Sequence, residues 1–100
     1  MRIRFSPEAL RVIREKRMWW REHRDKAPRL FVEELAAVVA KLRAGTDKDR
    51  RQYALPGGRI IWRILMRKTR THIYNRVDDA AGVTEIMTVW NVVGRAGPDF

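Results

Sequence analysis

The sequence predicts an α+β domain of order β-α-α-β-β-β, a helical hairpin packed on one face of a mostly antiparallel sheet. Three observations predict it. Between Arg59 and Arg67, Ile60, Trp62, Ile64 and Met66 alternate with Arg59, Ile61, Arg63, Leu65 and Arg67, the period of two that marks a strand with one apolar and one partly cationic face. Upstream, Ala9, Val12, Ile13 and Trp20 form one stripe at helical spacing, and Phe31, Leu35, Val38 and Leu42 form another. Further on, Asp78-Asp79-Ala80-Ala81-Gly82 supplies residues that tolerate the φ values of a tight turn, so the strands on either side pair as a hairpin.

Taken in order, Arg2-Ile3-Arg4-Phe5 alternates and reads as a short first strand. Ser6 then caps a helix with Pro7 at its first position, where the missing N–H costs nothing. The helix runs from Pro7 to about Arg24, with Arg11, Arg14, Glu15, Arg21 and Glu22 outward. Met18 points away from its apolar stripe and Trp19 lies at the edge, so these two are a candidate partner surface. Pro28 is expected to start the second helix, and Gly45 to end it as the residue just past the C-terminus. The apolar phase lasts barely two heptads, too short for a free coiled coil. Thr46–Gly58 reads as a polar loop that Tyr53 and Leu55 tack onto the core, with Pro56-Gly57-Gly58 turning the chain into the sheet. The second strand of the meander is Thr71–Val77 and the third Thr84–Val93. Within the third, Ile86/Trp90 and Met87/Val89 compete for the buried face. Gly94–Phe100 reads as a tail, and the whole 100 residues as one domain.

Composition bounds the function. The chain has no cysteine and two histidines, His23 and His72, which argues against a disulfide framework and a structural zinc site, and no metal or cofactor is expected. No apolar run approaches the roughly 20 residues of a membrane span, and the N-terminus lacks the apolar stretch of a signal peptide. A complete, soluble, cytoplasmic protein with no membrane partner is expected. With 22 Lys+Arg against 12 Asp+Glu, the net charge is +10. So basic a small domain attracts polyanions or acidic proteins. If the alternation holds, Arg63, Arg67, His72, Tyr74 and Arg76 gather on the sheet face away from the helices, a cradle for phosphates or carboxylates.

The order of elements and several local sequences together resemble the RelE/ParE superfamily of bacterial type II toxin–antitoxin toxins. The similar pieces are Phe5-Ser6-Pro7-Glu8-Ala9 at the strand-to-helix start, and Trp19-Trp20-Arg21-Glu22-His23-Arg24 followed by Ala27-Pro28 and Leu30-Phe31 at the helix junction. Gly57-Gly58-Arg59, Thr69–Val77, Val89-Trp90 and Gly94-Arg95 continue the likeness over most of the chain. The resemblance implies a growth-inhibiting toxin neutralised by a cognate antitoxin, often an acidic or amphipathic segment that suits a +10 domain. RelE-like members cut mRNA on the ribosome, whereas ParE-like members poison DNA gyrase.

Ribonuclease chemistry needs a base for the 2′-OH, cations for the phosphorane charge and an acid for the leaving oxygen. Here Asn75 stands where many relatives carry Tyr, Asn91 where many carry His, and the chain ends on Phe100. If the protein is a nuclease, His72, Tyr74, Arg76 and Arg95 are the candidate catalytic residues. Arginines alone make poor proton shuttles. The expectation is therefore a ParE-like toxin that acts by binding. Its candidate binding residues are Arg63, Arg67, Arg70, His72, Tyr74, Arg76, Asn91 and Arg95, and its partners are the antitoxin and gyrase. The alternatives are a ribosome-dependent mRNA endonuclease and an inactive homologue that retains antitoxin binding and operon autoregulation.

Overall fold

The computed structural model describes residues 1–45, 51–58 and 60–92. Two helices pack on one face of a five-stranded mixed sheet. The elements are β1 (Arg2–Phe5), α1 (Pro7–His23), α2 (Leu30–Ala44), β2 (Arg51–Ala54), β3 (Ile60–Met66), β4 (Thr71–Asp78) and β5 (Val83–Asn91). Their order across the sheet is β1-β5-β4-β3-β2. Strands β2 to β5 form an antiparallel meander, and β1 adds in parallel to β5.

The helix ends follow the local chemistry. Ser6 caps α1 by accepting from the Ala9 N–H at 3.0 Å, and its hydroxyl also donates to the Met87 carbonyl at 2.6 Å. One side chain thus satisfies an open helix donor and ties α1 to β5. Gly45 closes α2 in the left-handed conformation, φ 69°, with its N–H on the Leu42 carbonyl, a geometry in which a Cβ would be strained. Pro28 does not start α2. The helix begins at Leu30 after a turn, with Arg29 at its N-cap and no side-chain cap.

The core is where the stripes meet the sheet. Ala9, Phe31, Leu35, Val38, Val39 and Leu42 from the helices pack with Ile64, Met66, Ile73, Ile86 and Val89 from β3, β4 and β5. Ile3, Phe5, Val12, Ile13 and Trp20 border the same cluster. Burying each large member stabilises the fold by about 1.5–3 kcal/mol.

One more expectation needs correction, and one open choice is resolved. The polar loop expected over Thr46–Gly58 contains a strand: β2 pairs with β3 from Arg51↔Arg63 to Ala54↔Ile60, so the meander has four strands. A short hairpin connection with Gly57 at φ 84° permits it. The competition within β5 is settled by an irregularity in register. Tyr74 pairs with Thr88, but Asn75 pairs with Ile86, leaving Met87 as an extra residue. This bulge turns both Ile86 and Val89 toward the helices and puts Trp90 on the opposite face. The tail expected over Gly94–Phe100, and with it Arg95, lies outside the described residues.

At the bulge, Asn75 is fully buried on the helix side. Its Nδ2 donates to the Trp62 carbonyl at 3.4 Å, while Oδ1 has no partner among the described residues. An unpaired buried acceptor is costly, and replacing the amide with an apolar group removes that cost. Asn75→Val is therefore expected to raise the unfolding free energy by about 1 kcal/mol, and Asn75→Asp to lower it by about 3 kcal/mol or more by burying an uncompensated charge. Urea unfolding of both variants checks this; a destabilised Asn75→Val would contradict it.

Candidate functional site

The strand register defines the sheet face turned away from the helices as a set of cross-strand rows. Leu65, His72 and Trp90 form one row, and Arg63, Tyr74 and Thr88 the next. Beyond the bulge, Arg76, Glu85 and Arg4 form a third. The expected grouping of Arg63, His72, Tyr74 and Arg76 on one face therefore holds. Their roles differ from a bare cationic cradle. Arg76 and Arg4 both bind the Glu85 carboxylate, at 3.0 and 3.1 Å, so that part of the face is partly neutralised. Tyr74 is only 2% exposed. It lies on the middle strand of five, flanked on both sides, with the His72 ring edge-on at 6.0 Å. His72 is half-buried between Leu65 and Trp90, which are each 38% exposed.

Burial, reinforced by the Arg63 charge, holds the His72 imidazole below its ordinary value of 6.5. Both effects disfavour the imidazolium. His72 is thus neutral at pH 7, able to accept a proton and unable to offer a positive charge.

The remaining candidates lie elsewhere. Arg67 and Arg70 occupy the turn between β3 and β4, because β3 ends at Met66. Asn91 pairs with Thr71 and so belongs to the helix side, where its Oδ1 accepts from Lys16 Nζ at 2.7 Å. Met18 and Trp19 are exposed on α1, as expected.

The structure brings Arg70, Asn91 and Trp19 together with residues the sequence did not single out. Glu15, Lys16, Trp19, Trp20 and Arg24 of the α1 side face Lys68, Thr69 and Arg70 of the β3–β4 turn, with Asn91 at the base. They enclose a half-open cavity of about 480 Å³, a size typical of small-ligand sites. A second recess of about 420 Å³ continues from it past Lys16 and Asn91 along Val12, Val89 and Trp90.

The walls of this groove are held in place. Trp19 stacks on His23, with centroids 4.7 Å apart and planes 11° from parallel, and meets Trp20 edge-on at 5.8 Å. The Arg24 guanidinium sits 5.3 Å from the Trp19 centroid and 5.8 Å from that of Trp20, a cation–π arrangement. Across the groove, Glu34 of α2 accepts from the Lys68 N–H at 2.9 Å, the Thr69 N–H at 3.0 Å and the Thr69 hydroxyl at 2.6 Å. Thr71 Oγ1 donates to the Thr69 carbonyl, and the Val92 N–H to that of Arg70. Burial lowers the Lys16 ammonium below 10.5, and the neighbouring Glu15 only partly offsets this. Glu15 is itself engaged by Arg11 at 2.9 Å.

Among the described residues no group of three or more His, Asp or Glu side chains could hold a metal ion, and no helix is long and apolar enough to cross a membrane. Comparison of the chain with protein families, with curated proteins and with solved structures finds no match.

The low His72 value has a measurable consequence. The unfolded chain binds the His72 proton more tightly than the folded one, so this group's contribution to stability is retained above pH 6.5 and declines as pH falls from 6.5 through the folded value. The His72 Cε1–H resonance is expected to titrate with a midpoint below 6.5, and Arg63→Gln to move that midpoint partway back. A midpoint at or above 6.5 in the folded protein would contradict the assignment.

Proposed function

We propose that this protein is the toxin of a toxin–antitoxin pair and acts by binding, in the manner of ParE-like members, with DNA gyrase as target and an acidic antitoxin as neutralising partner. A helical hairpin on one face of a mostly antiparallel sheet is compatible with the resemblance to the RelE/ParE superfamily, with one strand, β2, more than the expected β-α-α-β-β-β order. The observation that carries the choice of mechanism is the state of the sheet face. Of the two candidate proton-transfer groups, Tyr74 is buried and His72 is held neutral, while Arg76 is engaged by Glu85. A general acid has to reach the leaving oxygen, and a ring 2% exposed does not.

Binding to an acidic partner asks for less. The outer side of α1 carries Arg14, Arg17 and Arg21 beside exposed Leu10 and Met18. This combination suits an acidic segment with apolar anchors, as charge complementarity speeds encounter and apolar contacts retain the complex.

One observation favours the nuclease alternative. A neutral His72 beside the Arg63 cation is suited to act as a base next to a phosphate-stabilising group. The two readings separate cleanly. With purified gyrase, ATP and plasmid, the protein is expected to produce gyrase-dependent linear DNA or to abolish supercoiling. His72→Ala is expected to leave growth inhibition intact. An unchanged plasmid with protein in excess over gyrase, together with growth restored by His72→Ala, would replace this reading with ribosome-dependent mRNA cleavage.

A further inference from the structure

The groove between α1 and the β3–β4 turn has features that neither a helix–sheet seam nor a merely solvated surface requires. Four cationic side chains, Lys16, Arg24, Lys68 and Arg70, line one cavity together with two indoles. The acidic side chain in the lining, Glu15, is paired with Arg11 outside it. Lys16 is half-buried, so its charge acts in a medium less screened than bulk water.

Arg70 adds an independent observation. It is the one non-glycine residue with positive φ, 50°, among the described residues. A side chain in that region costs about 1 kcal/mol, which glycine avoids. The chain nevertheless places an arginine there, in a turn fixed on one side by Glu34 and on the other by the Val92 N–H. A strained residue persists where the surroundings hold it, and such residues cluster at ligand sites. The strain puts a bidentate phosphate donor on the wall opposite the tryptophans.

We infer that this groove binds a nucleoside phosphate, with its phosphate among Lys16, Lys68 and Arg70 and its base against Trp19 and Trp20. The inference rests on the groove alone and stands apart from the toxin reading. Asn91 supplies a neutral polar group for a base edge or ribose, whereas the Thr69 N–H and hydroxyl are already held by Glu34. An acidic peptide would satisfy the cations but makes no use of the indoles, whereas a nucleobase would take the place that the Arg24 guanidinium holds over Trp19 and Trp20, and stacking on aromatic faces is how nucleobases are commonly held. The same chemistry is offered by a free nucleotide or by the 5′-phosphorylated end of a single strand. Lys16 Nζ donates to Asn91 Oδ1 at 2.7 Å, and a bound phosphate would compete for it.

The test is isothermal titration of the full chain with AMP, with a 5′-phosphorylated single-stranded decanucleotide, and with a poly-glutamate peptide of similar charge. Saturable binding of AMP or of the oligonucleotide is expected, weakened about tenfold or more by Lys16→Gln and by Arg70→Gly. AMP binding would identify a free-nucleotide site; oligonucleotide binding without AMP binding would identify a strand end. Arg70→Gly relieves the positive φ and is expected to keep or raise the melting temperature, so its loss of affinity would not reflect unfolding. The inference is overturned if neither nucleotide ligand binds at millimolar concentration, if the two variants bind as wild type does, or if poly-glutamate binds in the groove and AMP fails to displace it.

Discussion

Glu34 accepts three hydrogen bonds from the β3–β4 turn while its own backbone belongs to α2. The turn it holds would otherwise be a four-residue connection at the tip of a hairpin, with two free N–H groups and mobile side chains. Bonds to a carboxylate are the stronger kind of hydrogen bond, and two peptide N–H groups converging on one carboxylate fix both position and orientation. Lys68 and Arg70 thereby face α1 at a fixed place. The cost of the Arg70 conformation is borne by contacts on either side of it. Without this clamp the groove would have one firm wall, that of Trp19, Trp20 and Arg24, and one loose one.

A second constraint acts on the sheet. The bulge at Met87 changes the phase of β5 midway, so that Ile86 and Val89, three residues apart, both reach the core. The same change of phase separates the two surfaces. It sends Trp90 to the face that bears His72, and leaves Asn91 on the helix side within reach of Lys16. β1 covers β5 only from Val83 to Ile86, and α1 takes over as neighbour at Met87 through Ser6. The chain is thus arranged as a cationic, aromatic groove on one side and a mixed, partly neutralised sheet face on the other.

Much of this was legible in the sequence. The period of two in β3 identifies Ile64 and Met66, and the helical stripes Ala9, Phe31, Leu35, Val38 and Leu42, as core residues because burial acts on every turn and every second strand residue alike. At the start of β3 it fails, since Ile60 is exposed and Ile61, on the expected cationic face, is buried. Ser6 and Gly45 mark helix ends because their side chains, or the lack of one, answer a backbone need at a single position. The bulge was not legible. It arises from pairing with β4, and the competing sets within β5 reflect an alternation that a single strand cannot break by itself. β2 was hidden because a four-residue strand carries too few alternations to rise above a polar background. In the site, Arg63, His72, Tyr74 and Arg76 share a face as their spacing requires, but the burial of Tyr74 depends on the two strands that flank β4 and the pairing of Arg76 on Glu85. Glu34 and Lys16 left no local signal at all. Each acts on residues dozens of positions away, and only the packing of helices on the sheet brings them there.

The groove depends most on having its wall pre-formed by the Glu34 clamp. Amide hydrogen exchange of Lys68 and Thr69 in the full chain measures this directly. Both N–H groups are expected to exchange roughly ten to a hundred times more slowly than unbonded turn amides, as carboxylate-bonded donors should. Glu34→Gln, which keeps the shape and removes the charge, is expected to remove most of that protection while leaving the β3 and β4 amides slow. Exchange of Lys68 and Thr69 at the rate of an open turn in the wild-type protein would contradict the account.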